Sequence, residues 1–190
     1  MIDNKKLLCA FIYSAYDGGY CGLSLSKDRQ ESLRLREEHK EIYLGYIMNK
    51  VDFPGELIRE TQGKMMLEVD STSLRDYIYK GHIELVKKRI EEETGSDFYS
   101  AIKSNMIKLP AISCPINYYR VISVNNNELE GENIVLGNRK KLSILEGLET
   151  PMPGQIVSGH WHHVLEVVSD WPEFEKKYLQ VARDYYSKLK

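Results

Sequence analysis

The first 110 residues follow the hydrophobic spacing of helices. Residues 29–50 place apolar side chains three and four positions apart, with charged side chains on the opposite face, and so predict an amphipathic helix. A second helix is predicted over residues 74–94, with Gly95 as its stop, and a third over residues 96–106. Residues 5–14 are apolar almost throughout, and such a short run fits a buried helix as well as a buried strand.

After residue 110 the pattern changes to short segments of strand character that are separated by turns. Strands are predicted at residues 117–124, 134–136 and 141–145. Residues 155–168 fit either one long strand or a bent pair of strands. Short strands joined by tight turns predict a small β-barrel, and the apolar stripe of residues 172–188 predicts a last helix that packs on it.

The composition is that of a folded chain without an evident affinity for nucleic acid or lipid. Of the 190 residues, 42% are hydrophobic and 28% are charged, which argues against disorder. The net charge of −2 gives no positive surface for nucleic acid, and no apolar run reaches the roughly 18 residues of a membrane-spanning helix. The pattern of a signal peptide is absent, and three cysteines without a CxxC pair favour reduced thiols, so we expect a cytoplasmic protein.

Three histidines and a glutamate near the C-terminus are candidate metal ligands. On a continuous strand, His160, His162 and Glu166 share one face, whereas His163 points away. Two imidazoles and a carboxylate can bind a divalent metal ion and leave one position open. The spacing from Gly154 to Glu166 matches the first half of a cupin metal motif, but no second histidine motif follows. The alternative is that these histidines lie on a solvated or half-buried strand and bind nothing.

Two of the cysteines are candidate ligands as well, although neither belongs to a specific motif by itself. Cys114 precedes Pro115 at the start of the strand-rich part, and the alternative interpretation is a small buried hydrophobic residue. Cys21 lies close to glycines that allow a near approach of the backbone to another group. The chain has no P-loop, no GxGxxG and no GxSxG motif.

One order of motifs in the C-terminal part is shared with a known family. Cys114 is followed by a strand at residues 119–124 (YRVISV), and a late segment at residues 154–160 (GQIVSGH) ends on a histidine. In these features the chain resembles the HypC family of [NiFe]-hydrogenase maturation chaperones. The resemblance implies a small OB-like barrel in which Cys114 and His160 hold an Fe(CN)2CO unit and engage a partner maturation protein. The family's cysteine is N-terminal, whereas Cys114 lies inside this chain.

Three short motifs extend the resemblance along nearly the whole chain. They are residues 19–22 (GYCG), residues 79–82 (YKGH) and residues 158–161 (SGHW). With them the chain is similar to an uncharacterised bacterial family associated with hydrogenase gene clusters, in which a helical part precedes a HypC-like barrel. This similarity favours a helix at residues 5–14.

The resemblances imply an α+β fold with a mainly helical domain at residues 1–110, followed at residues 111–190 by an OB-like β-barrel with a C-terminal helix. They also imply a non-enzymatic accessory or maturation factor for a [NiFe] hydrogenase. Such a chaperone holds an iron precursor transiently or binds a partner, which is either the hydrogenase large subunit or another maturation protein. Nucleic acid and membranes are not expected as partners.

The ligands implied for the iron precursor are Cys114 and His160, and we expect Cys114 at the barrel surface with its sulfur on the order of 3–7 Å from His160. The secondary candidates are Cys21, His162 and Glu166. Two alternatives remain open from the sequence. One is a stand-alone metal-binding protein with the cupin-like histidine and glutamate site, and the other is a metal-free protein-interaction module.

Overall fold

The structure of the chain is a computed structural model with helices at the N-terminus, a five-stranded sheet and a C-terminal helix. This order of elements confirms the predicted mixture of helices and strands. The residues that the structure describes are 2–18, 29–62, 72–82, 84, 87–88, 91–92, 95–103 and 116–188. The predicted domain boundary at residue 110 lies outside them, so the division into two domains stays a prediction.

Among these residues, the helices before the sheet are α1 (Asn4–Asp17), α2 (Arg29–Ile47), α3 (Gly55–Gln62), α4 (Thr72–Asp76) and α5 (Phe98–Lys103). A π-helical turn, Tyr77–Gly81, continues α4. The C-terminal helix consists of α6 (Trp171–Phe174), a second π-helical turn (Glu175–Leu179) and α7 (Gln180–Ser187). No helix within the described ranges is both long enough and apolar enough to cross a membrane.

The apolar run at residues 5–14 is helical, because it lies within α1. Asp3 caps the start of this helix, and its carboxylate accepts hydrogen bonds from the backbone N–H groups of Lys5 (2.8 Å) and Lys6 (3.2 Å). Residues 7–12 are all buried, so more than a full turn of the helix lies in the core. A helix that is buried on every side has no polar face, and its sequence therefore shows no helical period.

The strands are β1 (Asn117–Asn125), β2 (Glu128–Asn133), β3 (Arg139–Ser143), β4 (Ile156–His160) and β5 (His163–Val167). Antiparallel pairs join β1 to β2, β2 to β3, β1 to β4 and β4 to β5. β3 and β5 run parallel and meet at Ser143, whose backbone N–H donates to the carbonyl of His162 at 2.7 Å. This contact closes the sheet into a barrel in the order β1-β2-β3-β5-β4.

The barrel has an inner core and an outer layer of helices. Its interior is filled by side chains such as Val121, Leu142 and Val157. On the outside, α1, α2, α4 and the C-terminal helix share a single core with outward-facing strand residues, among them Ile156 and Leu165. β4 and β5 are consequently buried along their whole length, with the barrel interior on one face and the helices on the other.

One strand prediction is wrong, and one that was left open is settled by the structure. Residues 134–136 were expected to form a strand but form a turn, in which Asn133 Oδ1 accepts hydrogen bonds from the backbone N–H groups of Val135 and Leu136, each at 2.9 Å. The second strand is β2, which lies just before that turn and is mostly polar, so its pattern is weak. Residues 155–168 contain the bent pair, because β4 and β5 form a hairpin.

The same hairpin corrects the expected orientation of the histidines. Trp161 and His162 form its two-residue turn, and Trp161 has a positive φ of 54°. This turn ends the strand periodicity at His160, so the alternation that placed His160 and His162 on one face does not apply. Instead, His160 and His163 are paired directly across the hairpin.

Candidate functional site

The candidate site lies where α1 and the segment of α4 with its π-helical turn cover the outer face of the β4–β5 hairpin. Four polar side chains of the hairpin are buried there, at 7% exposure or less: Ser158, His160, His163 and Glu166. Buried polar groups are expected to have hydrogen-bond partners. The helices supply those partners in three separate sets, one around His160, one at His163 and one at Glu166.

His160 is completely buried, with 0% of its surface exposed. Its Nδ1 lies 2.7 Å from the Ser14 hydroxyl, and that hydroxyl donates its own proton to the carbonyl of Phe11 at 2.8 Å. Ser14 is therefore left to accept a hydrogen bond, and we assign the ring proton to Nδ1 of His160. In a neutral imidazole with this tautomer, Nε2 carries the lone pair and is the nitrogen that can bind a metal ion.

His82 follows the π-helical turn of α4 and lies beside His160. The centroids of the two imidazoles are 5.5 Å apart and their planes are nearly perpendicular, at 86°. Phe11 contacts both rings: it stacks on His160 at 4.7 Å and meets His82 edge-on at 4.9 Å. We call Phe11, Ser14, His82 and His160 the histidine cluster. π-helical turns are rare and are often found at functional sites, and His82 directly follows one.

The turn of the hairpin is fixed from two sides. The indole of Trp161 lies against the backbone at the end of α1, where a Cβ atom on Gly18 would come within 2.6 Å of Trp161 Cδ2. The Trp161 carbonyl accepts a hydrogen bond from Lys140 Nζ at 2.6 Å. Burial lowers the pKa of Lys140 below its ordinary value. His162, in the same turn, is exposed to solvent.

His163 is tied to the helices by a carboxylate. Its Nε2 lies 2.8 Å from one oxygen of Asp17, and Lys40 Nζ donates to the other oxygen at 2.7 Å. Burial by itself raises the pKa of Asp17, but the hydrogen bonds from Lys40 and His163 outweigh burial and hold this pKa below its usual value. Tyr13 meets the His163 ring edge-on at 5.3 Å. His163 therefore connects β5 to α1 and, through Asp17, to α2.

Glu166 is the centre of a buried ion-pair network. Its Oε1 accepts hydrogen bonds from Arg75 at 2.6 Å and from the hydroxyl of Tyr79 at 2.5 Å. The Tyr79 hydroxyl is also 3.1 Å from that of Ser158, and Arg75 donates to Asn4 at 3.0 Å. Burial, and then the charge of Glu166, raise the pKa of Tyr79 well above its ordinary value, so Tyr79 stays a neutral donor. We call Arg75, Tyr79, Ser158 and Glu166 the Glu166 network.

The ligands predicted from sequence thus occupy three different environments. His160 belongs to the histidine cluster, Glu166 is held by its own network, and His162 lies exposed in the turn. Within the part of the chain that the structure describes, no group of three or more His, Cys, Asp or Glu side chains is arranged to hold a metal ion. Cys114 and Cys21 lie outside the described residues, so the expected distance between Cys114 and His160 stays a prediction.

Sequence reasoning missed most of the side chains that surround His160. Phe11 and Ser14 lie in the apolar run of residues 5–14, which fits either a helix or a strand. Nothing in the sequence of that run distinguishes them from other core residues. His82 carried a signal, since it ends the motif at residues 79–82 (YKGH), but no role was assigned to it. Cys9, also on α1, lies in the core with 0% of its surface exposed, and burial together with the nearby charge of Asp3 raises the pKa of its thiol far above the ordinary value.

The histidine cluster places the imidazole of His160, whose orientation is fixed by Ser14, in contact with that of His82. Both lie beneath α1, whose position is fixed by its cap and its burial. Imidazole nitrogens suit iron, nickel, copper or zinc rather than magnesium or calcium. Comparisons of the chain with protein-family models, with curated proteins and with solved structures give no match.

Proposed function

We propose that the chain is a non-enzymatic accessory factor in the maturation of a [NiFe] hydrogenase. In this role it binds the hydrogenase large subunit or another maturation protein and transiently holds an iron precursor. The observation that carries the proposal is the state of His160, whose Nδ1 is committed to Ser14 so that Nε2 keeps the lone pair. A metal-binding histidine generally has such an outer hydrogen bond, which fixes its tautomer and the orientation of its ring.

The architecture supports the same proposal. A closed barrel of five strands that is followed by a helix fits the OB-like fold that the resemblance to the HypC family implies. His160 ends β4, which is where the late glycine-to-histidine segment of that family is expected. We propose Cys114 as the second donor, because a thiolate and an imidazole are good donors for iron that carries diatomic ligands.

The cupin-like alternative has less support than this proposal. It needs the carboxylate of Glu166 as a metal ligand, but one oxygen of that carboxylate, Oε1, already accepts hydrogen bonds from Arg75 and Tyr79. It also needs His162 and His160 on one face, and the turn separates them. The metal-free interaction module remains the outcome that the experiments below must distinguish from a carrier of iron.

The proposal is tested by deleting the gene in the organism that carries it and measuring hydrogenase activity and the maturation state of the large subunit. We expect hydrogenase activity to be lost, with the large subunit left unprocessed, and to return when the wild-type gene is supplied. Complementation with His162→Gln serves as the matched control, because this histidine is exposed and we expect the variant to restore activity.

The variants that address the iron precursor are His160→Gln and Cys114→Ala. We expect neither variant to restore hydrogenase activity, although both should still bind the partner protein in a co-purification experiment. Full activity in the deletion strain contradicts the proposed function. Restoration by both variants in a strain that needs the wild-type gene contradicts the carriage of iron and favours the metal-free interaction module.

A further inference from the structure

We infer that His82 and His160 together form a two-imidazole site for a transition-metal ion. This inference deepens the proposed function, on which its biological meaning rests, by adding His82 as a ligand and by naming the donor set. Its chemistry is independent of any hydrogenase and can be tested with the purified chain.

The separation of the two rings fits joint coordination. Metal–nitrogen bonds to histidine are about 2.0–2.1 Å, which places the centre of each bound imidazole about 3.2 Å from the metal ion. For a tetrahedral ion, the two ring centres then lie about 5 Å apart. The observed centroid distance between His82 and His160 is 5.5 Å, with the planes at 86°. The observed separation of the ring centres is therefore close to that of two imidazoles bound to one tetrahedral ion.

The surrounding side chains hold the pair in place before any ion arrives. Ser14 fixes the tautomer of His160, and Phe11 packs against both imidazoles at 4.7 Å and 4.9 Å. Phe11 and Ser14 belong to α1, and both are buried. His82 is set by the π-helical turn that ends one residue before it. Two separate elements, α1 and the π-helical turn, thus position the two donors, and this kind of support is what a precise metal site requires.

The type of donor indicates the class of ion. His160 is 0% exposed and His82 is 6% exposed, so both imidazoles lie away from water among aromatic side chains. Neutral imidazoles are good ligands for divalent iron, nickel and zinc. Among the described residues, no third His, Cys, Asp or Glu side chain joins the pair, and the proposed thiolate of Cys114, which lies outside them, would be a further donor to the same ion.

The test is calorimetric titration of the full, metal-free chain with Zn²⁺, which serves as a redox-inert probe. We expect about one Zn²⁺ per chain in the wild type and binding weakened at least about tenfold in His82→Gln and in His160→Gln. Ser14→Ala, which removes the outer hydrogen bond and no ligand, is expected to weaken binding about 10- to 100-fold. The matched control is His162→Gln, which should bind Zn²⁺ as the wild type does.

A spectroscopic measurement on the wild type keeps the inference testable if a variant does not fold, as judged by circular dichroism. On addition of Zn²⁺, the side-chain ¹⁵N resonances of His82 and His160 should shift together, whereas that of His39 should not. No Zn²⁺ binding by the wild type, unchanged binding in His82→Gln, or shifts confined to His162 would each overturn the site. A hydrogenase that matures normally in the deletion strain contradicts the proposed function alone and leaves this result unaffected.

Discussion

At the scale of single residues, each buried polar side chain of the hairpin depends on a partner from another element. The clearest example is the ion pair of Glu166 with Arg75. The Glu166 side chain is 0% exposed and that of Arg75 is 12% exposed, so the pair is largely shielded from water. A buried ion pair gives little net stability relative to apolar residues, but removal of one partner leaves an uncompensated charge in the core. The network therefore fixes the position of α4 more than it adds to the total free energy of folding.

We predict that Arg75→Met lowers the free energy of unfolding by about 3 kcal/mol, because the Glu166 carboxylate then remains buried without its counterion. Urea unfolding followed by circular dichroism measures the change. Arg34→Met is the control, since the Arg34–Glu38 pair is exposed and its loss is expected to cost less than about 0.5 kcal/mol. The double variant Arg75→Met with Glu166→Met should be more stable than Arg75→Met alone. Equal losses from Arg75→Met and Arg34→Met would contradict this account.

The Asp17–His163 contact predicts a dependence of stability on pH. The pKa of Asp17 is lowered in the folded state, so its contribution is present above the unfolded-state pKa of about 3.8 and is lost as the pH falls through the lower folded-state value. Asp17→Asn should therefore be less stable than the wild type at pH 6, by at most about 1 kcal/mol because Asp17 is partly exposed. The difference should shrink as the pH falls below 3.8. Urea unfolding at several pH values checks this, and a difference that grows toward low pH would refute it.

The candidate site could be predicted from the sequence only in part, because its side chains meet through contacts between residues that are far apart in the chain. His160 was identified from its motif, but its partners Ser14 and Phe11 are separated from it by nearly the whole chain, and spacing carries no information on such contacts. His162 and Glu166 were grouped with it by strand alternation, which the turn at Trp161 interrupts. A positive φ at a tryptophan is rare, so no propensity rule indicates it.

At the scale of elements, the position of the hairpin depends on a close contact with the end of α1. Gly18 has an ordinary helical φ of −63°, so an alanine there is compatible with the backbone. Its Cβ atom, however, would lie 2.6 Å from Trp161 Cδ2, and the ring would have to move. The sequence indicates the turn residues of this region but not this contact, because Gly18 and Trp161 meet only in the folded chain.

We predict that Gly18→Ala lowers the free energy of unfolding by about 1–3 kcal/mol through this overpacking. Gly55→Ala is the matched control, because a Cβ there meets Phe53 at an ordinary 3.5 Å, and we expect it to be neutral or slightly stabilising. Thermal unfolding of both variants measures the difference. Near-ultraviolet circular dichroism should also show an altered Trp161 signal in Gly18→Ala. A melting temperature equal to that of the wild type would contradict the close contact.

Elements with one exposed face were predicted well, whereas elements that are buried on both faces or are mostly polar were not. α2 keeps an exposed charged face, and its helix was predicted over nearly its observed length. α1 and the hairpin are buried all round, so neither helical nor strand periodicity is visible in their sequences. β2 was missed for a different reason: it is mostly polar. Leu129 is its only buried large apolar residue, so the alternating pattern of a strand is weak in its sequence.

At the scale of the whole molecule, the helices and the barrel share a core. α1 residues such as Leu8 and Phe11 belong to the same buried cluster as Ile156 and Leu165 of the hairpin. The Glu166 network and the histidine cluster cross the same boundary. Since two parts with a common core and common buried polar contacts lose both when separated, we expect them to unfold together.

We therefore predict that a fragment of residues 111–190, the predicted second domain, does not fold by itself. Without α1 and α4 it exposes Ile156 and Leu165 to water and leaves the buried carboxylate of Glu166 without Arg75. A ¹H–¹⁵N correlation spectrum of the fragment should show narrow dispersion. In the full chain, tryptophan fluorescence, which reports on the barrel side, and far-ultraviolet circular dichroism, dominated by the helices, should give one coincident transition. A well-dispersed spectrum for the fragment, or two separate transitions for the full chain, would establish two independent domains instead.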